Sequence, residues 1–166
     1  MLIRSETPSD LSAIRAINVA AFLQHPYSNQ TEHLIVEALR SAGALEISLV
    51  AEKDGVVVGH VAFSAAAIGD AAKGWYLLGP IAVLPAYQGQ GVGRALIEAG
   101  LEELRARHAS GCVLVGDPAF YRRFGFDQRD GVVCAGVPDD NVLCLPLTAE
   151  MPTGEVVYHP AFSVTA

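Results

Sequence analysis

A glycine-rich turn constrains this chain more than any other feature. Residues 85–96 read PAYQGQGVGRAL, with glycines at positions 89, 91 and 93. The turn lies between a continuously apolar run at 75–84, which predicts a buried strand, and a charge-striped run at 92–108, which predicts a helix. Small residues at a helix start let successive backbone N–H groups point at one spot, where the helix dipole also favours an anion. The turn therefore predicts a phosphate-binding loop in an α/β protein.

Two common kinds of glycine loop do not fit these residues. A nucleoside triphosphatase loop needs a lysine after its last glycine, whereas Arg94 follows Gly93 here. The dinucleotide fingerprint needs a third glycine where Arg94 stands, and no acidic residue follows at a strand end about 20 residues later. The frame that fits is Gln88-x-x-Gly91-x-Gly93. The remaining alternatives are a different phosphate-bearing ligand, or glycines that only turn a strand into a helix.

A proline inside the predicted central strand supports the alternative of a different phosphate-bearing ligand. Gly79-Pro80 stands within the apolar run, where proline removes one hydrogen bond of the strand ladder. Such a residue is tolerated where the sheet opens at a bulge or a splay. An opened strand would leave the backbone groups of Ile81 and Val83 free for an extended, amide-bearing ligand. Pantetheine, which has two amides, is such a ligand.

The whole chain, residues 1–166, is predicted to form one α/β domain. Its length and its 51% content of hydrophobic residues suffice for one core. Hairpin and strand–helix–strand patterns occur together, which predicts a mixed sheet with helices on both faces. In chain order, the other predicted elements are a strand at 2–5, helices at 7–22 and 28–40, a hairpin turning at Asp54-Gly55, a strand at 112–116, a short helix at 118–124 capped by Asp117, and strands at 126–134, 141–147 and in the tail 154–162.

Charge and cysteine usage exclude several classes of partner. Eleven Lys and Arg against eighteen Asp and Glu give a net charge of −7 without a basic run, which argues against a nucleic-acid partner. Three cysteines without Cys-x-x-Cys spacing or a Cys/His cluster predict buried fillers and no metal site. No apolar segment reaches the ~20 residues that span a bilayer, and the N-terminus has no signal pattern. We expect a cytoplasmic protein that has no membrane partner.

Two longer motifs resemble those of a known protein family. With LGPIAVLPAYQGQGVGRAL at 78–96 and AFYRRFGF at 119–126, the chain resembles the GNAT superfamily of acyl-CoA-dependent N-acetyltransferases, and in particular a poorly characterised bacterial branch. The resemblance implies the GNAT-like acyl-CoA N-acyltransferase fold, whose central mixed sheet is splayed near its middle. It also implies acetyl-CoA as co-substrate. A primary amine would accept the acetyl group by direct attack, with a small molecule favoured over a protein.

The resemblance also implies which residues form the site. The pyrophosphate loop would comprise Gln88, Gly89, Gln90, Gly91, Val92, Gly93 and Arg94, and the strand beside pantetheine would comprise Ile81, Ala82 and Val83. Tyr121 matches the tyrosine that faces the coenzyme sulfur. A phenol with a pKa near ~10 is protonated at neutral pH, so it can give a proton to the thiolate that leaves. The alternative is a tyrosine whose ring only packs in the core.

The general base is not evident, because the central strand at 74–83 contains no carboxylate. Candidates on other elements are Glu52, His60, His25 and His33. A water chain, or an amine of low pKa, would need no such residue. A non-catalytic acyl-CoA-binding or sensing module is therefore the alternative function, and an unrelated nucleotide-binding protein is disfavoured by the failed fingerprints. An edge strand near 141–158 could pair two chains in a homodimer.

Overall fold

The computed structural model describes residues 1–165, with only the backbone described at Ala71 and Ala72. Its strands are β1 (Leu2–Ser5), β2 (Ile47–Lys53), β3 (Val56–Ile68), β4 (Ala71–Val83), β5 (Gly111–Val115), β6 (Val132–Val133), β7 (Val142–Pro146) and β8 (Gly154–Tyr158). Its α-helices are α1 (Leu11–Phe22), α2 (Glu32–Ser41), α3 (Val92–Ala106) and α4 (Pro118–Tyr121). Short 3-10 segments lie between several of them.

The sheet is mixed, as predicted. Hydrogen-bonded neighbours follow the order β1-β2-β3-β4-β5-β7, and β8 pairs with both β3 and β6. Strands β1, β2 and β3 are antiparallel, whereas β4 and β5 are parallel and are connected by α3. A parallel pair needs such a crossover, because its two strands begin at the same edge of the sheet. The chain divides into two compact units.

Unit 1 comprises Met1–Phe63, Gly79–Leu101 and the described residues from Pro160 onward. Asp54 and Gly55 both have positive φ, at 52° and 78°, and form the two-residue turn between β2 and β3. This is the geometry of the tight hairpin predicted for Asp-Gly. Helix α2 begins at Glu32 rather than near Ser28, because Gln30 has a φ of 61°, which a right-handed helix does not allow.

Two glycines hold α3 close to β3 in unit 1. A Cβ placed on Gly59 would lie 2.8 Å from Cγ1 of Val92, the first residue of α3. A Cβ placed on Gly100 would overlap the ring of Phe63. Both glycines are buried, so the helix packs on the strand without room for a methyl group. The start of α3, and with it the end of the glycine turn, is thereby fixed against the sheet.

Unit 2 comprises Ser64–Leu78 and Glu102–His159. The parallel ladder between β4 and β5 starts at Trp75 and Gly111 and ends at Leu77 and Val113. Strand β5 nevertheless pairs with β7 as far as Val115. The β4–β5 ladder thus ends just before Gly79-Pro80, which agrees with the opening predicted there.

Two predictions for unit 2 need correction. The strand predicted at 126–134 is reduced to Val132–Val133, and Asp127 makes only an isolated bridge to Cys144. The tail strand β8 was expected at an edge, but it pairs with β3 on one side and with β6 on the other. Its alternating sequence could not reveal these partners, because they are distant in the chain.

The three cysteines are free and buried, as predicted: Cys112, Cys134 and Cys144. Within residues 1–165 no helix combines the length and the apolar character needed to cross a membrane. The same residues contain no group of three or more His, Cys, Asp or Glu side chains placed to hold a metal ion.

Candidate active site

The glycine turn of unit 1 follows β4 directly. Residues Pro85–Tyr87 form a 3-10 turn, and α3 begins at Val92. Between them, Gly89 and Gly91 have φ values of 75° and 85°, a conformation that other residues adopt only with strain. A Cβ at either position would meet no described atom within 4 Å. The backbone conformation therefore demands glycine, and the surface of the turn is open to a ligand.

The start of α3 supplies hydrogen-bond donors at this turn. The N–H of Ala95 donates to the carbonyl oxygen of Gly91 at 3.0 Å, as an α-helical bond. The N–H groups of residues 91–94 precede that bond, and a helix leaves its first four N–H groups without partners of its own. Together with the positive end of the helix dipole, they suit an anion. The structure thus brings the predicted loop residues 88–94 into one turn at the positive end of the α3 dipole.

Two glutamine side chains brace the turn. The Gln88 amide donates from Nε2 to the carbonyl oxygen of Val83 at 3.0 Å. The Gln90 amide donates from Nε2 to the carbonyl oxygen of Ala86 at 3.1 Å. The first of these bonds corrects an expectation, because the Val83 carbonyl was expected to be free and is instead used to hold the loop.

Lys53 is a functional candidate that sequence reasoning missed. It is the last residue of β2, and its Nζ donates to Oε1 of Gln90 at 3.1 Å. Its ammonium group also lies 5.8 Å from the centroid of the Tyr87 ring. Lys53 thus places a positive charge on the glycine turn of an acidic protein. The only signal in the sequence was a lysine directly before a hairpin turn, and that position does not predict which loop it contacts.

The other predicted ligand-binding residues differ in exposure. The Arg94 guanidinium pairs with Glu98 on the exposed face of α3, with Nε 2.9 Å from Oε1, so its side chain runs along the helix. This pair, together with that of Arg105 and Glu102, confirms the solvated charged stripe predicted for α3. On β4, Ala82 is buried, whereas Ile81 and Val83 are half-buried.

Tyr121 lies in unit 2 at the end of α4. Asp117 accepts a hydrogen bond from the Ala119 N–H at 2.9 Å, which confirms the predicted cap of this short helix. The Tyr121 ring packs edge-on against Phe120 and Phe126, with centroids 4.9 Å and 6.1 Å away. Burial raises the pKa of Tyr121 to about 12. The phenol is therefore protonated at neutral pH and is chemically suited to donate a proton.

Two of the base candidates are already engaged within unit 1. The Glu52 carboxylate accepts a hydrogen bond from Arg4 at 3.0 Å. The His60 ring is fully buried, with Nε2 2.8 Å from the Ser48 hydroxyl and Nδ1 3.4 Å from the Asn18 amide. An enclosed imidazole cannot take a proton from a substrate in solution. Neither side chain therefore fits a base that receives a proton from a bound amine.

The remaining base candidates lie on the helical side of unit 1. His25 is exposed in the loop after α1, and its ring lies 5.7 Å from that of Phe22 and 6.2 Å from that of Tyr27. His33 is half-buried in the first turn of α2. The described contacts of His25 are with these two rings and with the backbone N–H of Tyr27.

The buried His60 gives stability a defined pH dependence. Burial lowers the pKa of His60 from 6.5 to about 4, so as pH falls through this range the unfolded chain takes up a proton before the folded protein does. We expect the free energy of unfolding to be highest above pH 6.5 and to fall by about 3 kcal/mol at most by pH 4. The neighbouring carboxylate of Glu6, whose pKa is lowered, acts mainly below this range.

Urea unfolding at several pH values checks this expectation. The comparison is between the natural protein and His60→Gln, which cannot be protonated. The variant should lose distinctly less stability between pH 6.5 and pH 4 than the natural protein does. Parallel profiles for the two proteins would contradict the assignment of this pH dependence to His60.

Comparison with known proteins shows the family and the fold. Residues 44–128 match the acetyltransferase (GNAT) domain. The chain is 39% identical over 128 residues to the uncharacterized N-acetyltransferase YhbS of Escherichia coli (strain K12), which covers 76% of this chain and 74% of the relative.

Two solved structures share the fold along nearly the whole chain. A GNAT family acetyltransferase from Brucella melitensis, in complex with acetyl-CoA, is 52% identical with a TM-score of 0.86, and 97% of each chain is covered. The Escherichia coli YhbS structure, in complex with CoA, is 34% identical with a TM-score of 0.87, covering 99% of this chain and 93% of that one. The fold is that of these acetyltransferases. The chain belongs to the GNAT family of N-acetyltransferases.

Proposed function

We propose that this enzyme transfers the acetyl group of acetyl-CoA to a primary amine, and that the amine is a small molecule rather than a protein. The observation that carries the proposal is the glycine turn at the start of α3, which combines helix-start N–H groups with the Lys53 ammonium. The similar proteins crystallised with acetyl-CoA or CoA support the choice of coenzyme.

The proposed coenzyme site uses the residues expected from the sequence. Residues 88–94 would hold the pyrophosphate through backbone N–H groups. The backbone of Ile81, Ala82 and Val83 would run beside pantetheine, since these residues lead along β4 into the turn. Ala82 would contribute through its backbone, because its side chain is buried.

The proposed reaction is direct attack of the amine nitrogen on the thioester carbonyl carbon. The C–N bond forms while the carbonyl oxygen becomes an oxyanion, which a backbone N–H of β4 would stabilise. The C–S bond then breaks, and Tyr121 would give its phenolic proton to the departing thiolate. The amine would lose a proton to water, and water would return a proton to the Tyr121 phenolate, so that the enzyme ends the turnover in its starting state. The engagement of Glu52 and His60 favours this route, or an acceptor amine of low pKa.

A panel of amines tests the function directly. Release of free CoA from acetyl-CoA would be followed with small primary amines over a range of pKa values, and with peptides that have free N-termini. We expect turnover with at least one small amine and slower or no turnover with peptides. Binding of acetyl-CoA without CoA release for any amine would contradict the transferase and indicate the alternative, a non-catalytic acyl-CoA-binding module.

Lys53 gives a test of the coenzyme site. Lys53→Met removes the cation at the turn and the hydrogen bond to Gln90, so CoA should bind about three- to tenfold more weakly. Lys53→Arg, which keeps the charge, is the matched control and should bind nearly as the natural protein. Calorimetry at low and high salt should show the difference shrinking with salt. Equal affinity of Lys53→Met and the natural protein at low salt would exclude this role.

We also propose that residues 1–166 act as a single N-acetyltransferase domain. The cytoplasmic location and the homodimer expected from the sequence remain predictions.

A further inference from the structure

Asn141 makes a reciprocal pair of hydrogen bonds with Gly116 in unit 2. The Gly116 N–H donates to the carbonyl oxygen of Asn141 at 2.9 Å. The Asn141 side chain donates from Nδ2 to the carbonyl oxygen of Gly116 at 3.1 Å. Gly116 follows the last residue of β5 and precedes Asp117, the cap of α4. Asn141 thus fixes the backbone at the junction that leads into the helix of Tyr121.

Gly116 is in turn packed against the Tyr121 ring. A Cβ placed on Gly116 would lie 2.5 Å from Cε2 and 3.0 Å from Cδ2 of Tyr121. Real Cβ atoms do not approach a ring carbon so closely, so the ring occupies the space that a side chain would need. Phe120 and Phe126 pack against the same ring. The Gly116 backbone is therefore one of the surfaces that set the ring's position.

We propose that Asn141 and Gly116 are positioning residues for Tyr121, which fix the ring so that its hydroxyl points at the leaving sulfur. The proposal rests on the proton-donating role proposed for Tyr121. Asn141 acts through Gly116 and does not touch the substrate. Proton transfer depends steeply on the position of the donor, so a ring displaced by about 1 Å is enough to slow it.

The first test displaces the ring. Gly116→Ala should lower kcat about 10- to 100-fold, because the added methyl group pushes the ring aside. The affinity for CoA should stay within about twofold, since the glycine turn is unchanged. Asn141→Ala should lower kcat several-fold in the same way. Asp140→Ala, an exposed neighbour in the same 3-10 segment, is the matched control and should behave as the natural protein.

The second test is spectroscopic and separates positioning from general stability. Ionisation of Tyr121 would be followed by ultraviolet absorbance, as the difference between each protein and its counterpart that also carries Tyr121→Phe. The natural phenol should ionise near pH 12, whereas a ring displaced towards water in Gly116→Ala should ionise closer to ~10. A purely structural role would lower the melting temperature and leave this titration unchanged.

The outcomes are distinguishable. An unchanged kcat and an unchanged Tyr121 titration in folded Gly116→Ala would overturn the proposal. If Gly116→Ala fails to fold, kcat and the Tyr121 titration are measured on Asn141→Ala instead, with the same expected and contradicting results. If Tyr121→Phe alone retains full turnover, the proton-donating role fails, and the inference about catalysis fails with it. A shifted titration in Gly116→Ala would still show that the two residues set the ring's position.

Discussion

Gly91→Glu should weaken binding of acetyl-CoA by at least about 100-fold, or about 2.7 kcal/mol. The new side chain would project into the open space on the turn, where the pyrophosphate is proposed to lie, and its carboxylate would repel the phosphate charges. The φ of 85° adds strain for any residue other than glycine. Isothermal titration calorimetry with acetyl-CoA measures the effect.

A matched control separates loss of binding from loss of stability. Gly136 is also exposed, has a φ of 76°, and would have no described atom within 4 Å of a Cβ. Gly136→Glu therefore introduces the same strain and the same charge in unit 2, outside residues 85–96. Both variants should melt at lower temperature than the natural protein, but only Gly91→Glu should lose acetyl-CoA. If the two variants bind acetyl-CoA equally well, the turn is not part of the coenzyme site.

Tyr121→Phe should lower kcat about 100-fold while leaving the affinity for acetyl-CoA within about twofold. The substitution removes only the hydroxyl, so the ring keeps its contacts with Phe120 and Phe126 and the fold should remain intact. Steady-state release of CoA at saturating amine measures the effect. Tyr27→Phe, at a tyrosine that is 91% exposed, is the control and should not change turnover. Full activity of Tyr121→Phe would contradict the proton-donating role and would indicate that the ring only packs in the core.

The local elements of the fold were predictable because their signals lie within a few residues of each other. Asp54-Gly55 predicted a hairpin since both positions need positive φ, and Asp117 predicted a helix cap since its carboxylate reaches the N–H two residues later. The glycine turn was predictable for the same reason. Its positive-φ glycines and the first turn of α3 all lie within residues 85–96, and α3 begins where the apolar period changes.

The predictions failed where a contact joins distant segments. Nothing in the alternation of 154–158 indicates that β8 lies between β3 and β6. The expectation of a longer strand at 126–134 failed because β-propensity is realised only where a partner strand is available. The enclosure of His60 likewise depends on Ser48 and Asn18, which come from two other elements.

The sequence by itself determined that this protein is a mixed α/β acetyltransferase with a glycine turn at a helix start, because short motifs encode backbone shape and side-chain chemistry. Only the tertiary structure decided that Lys53 lies on that turn, that Gln88 uses the Val83 carbonyl, and that Asn141 holds Gly116. Asn141 is 25 residues from Gly116, and Lys53 is 37 residues from Gln90. Contacts over such separations are set by strand register and packing, which no local pattern specifies.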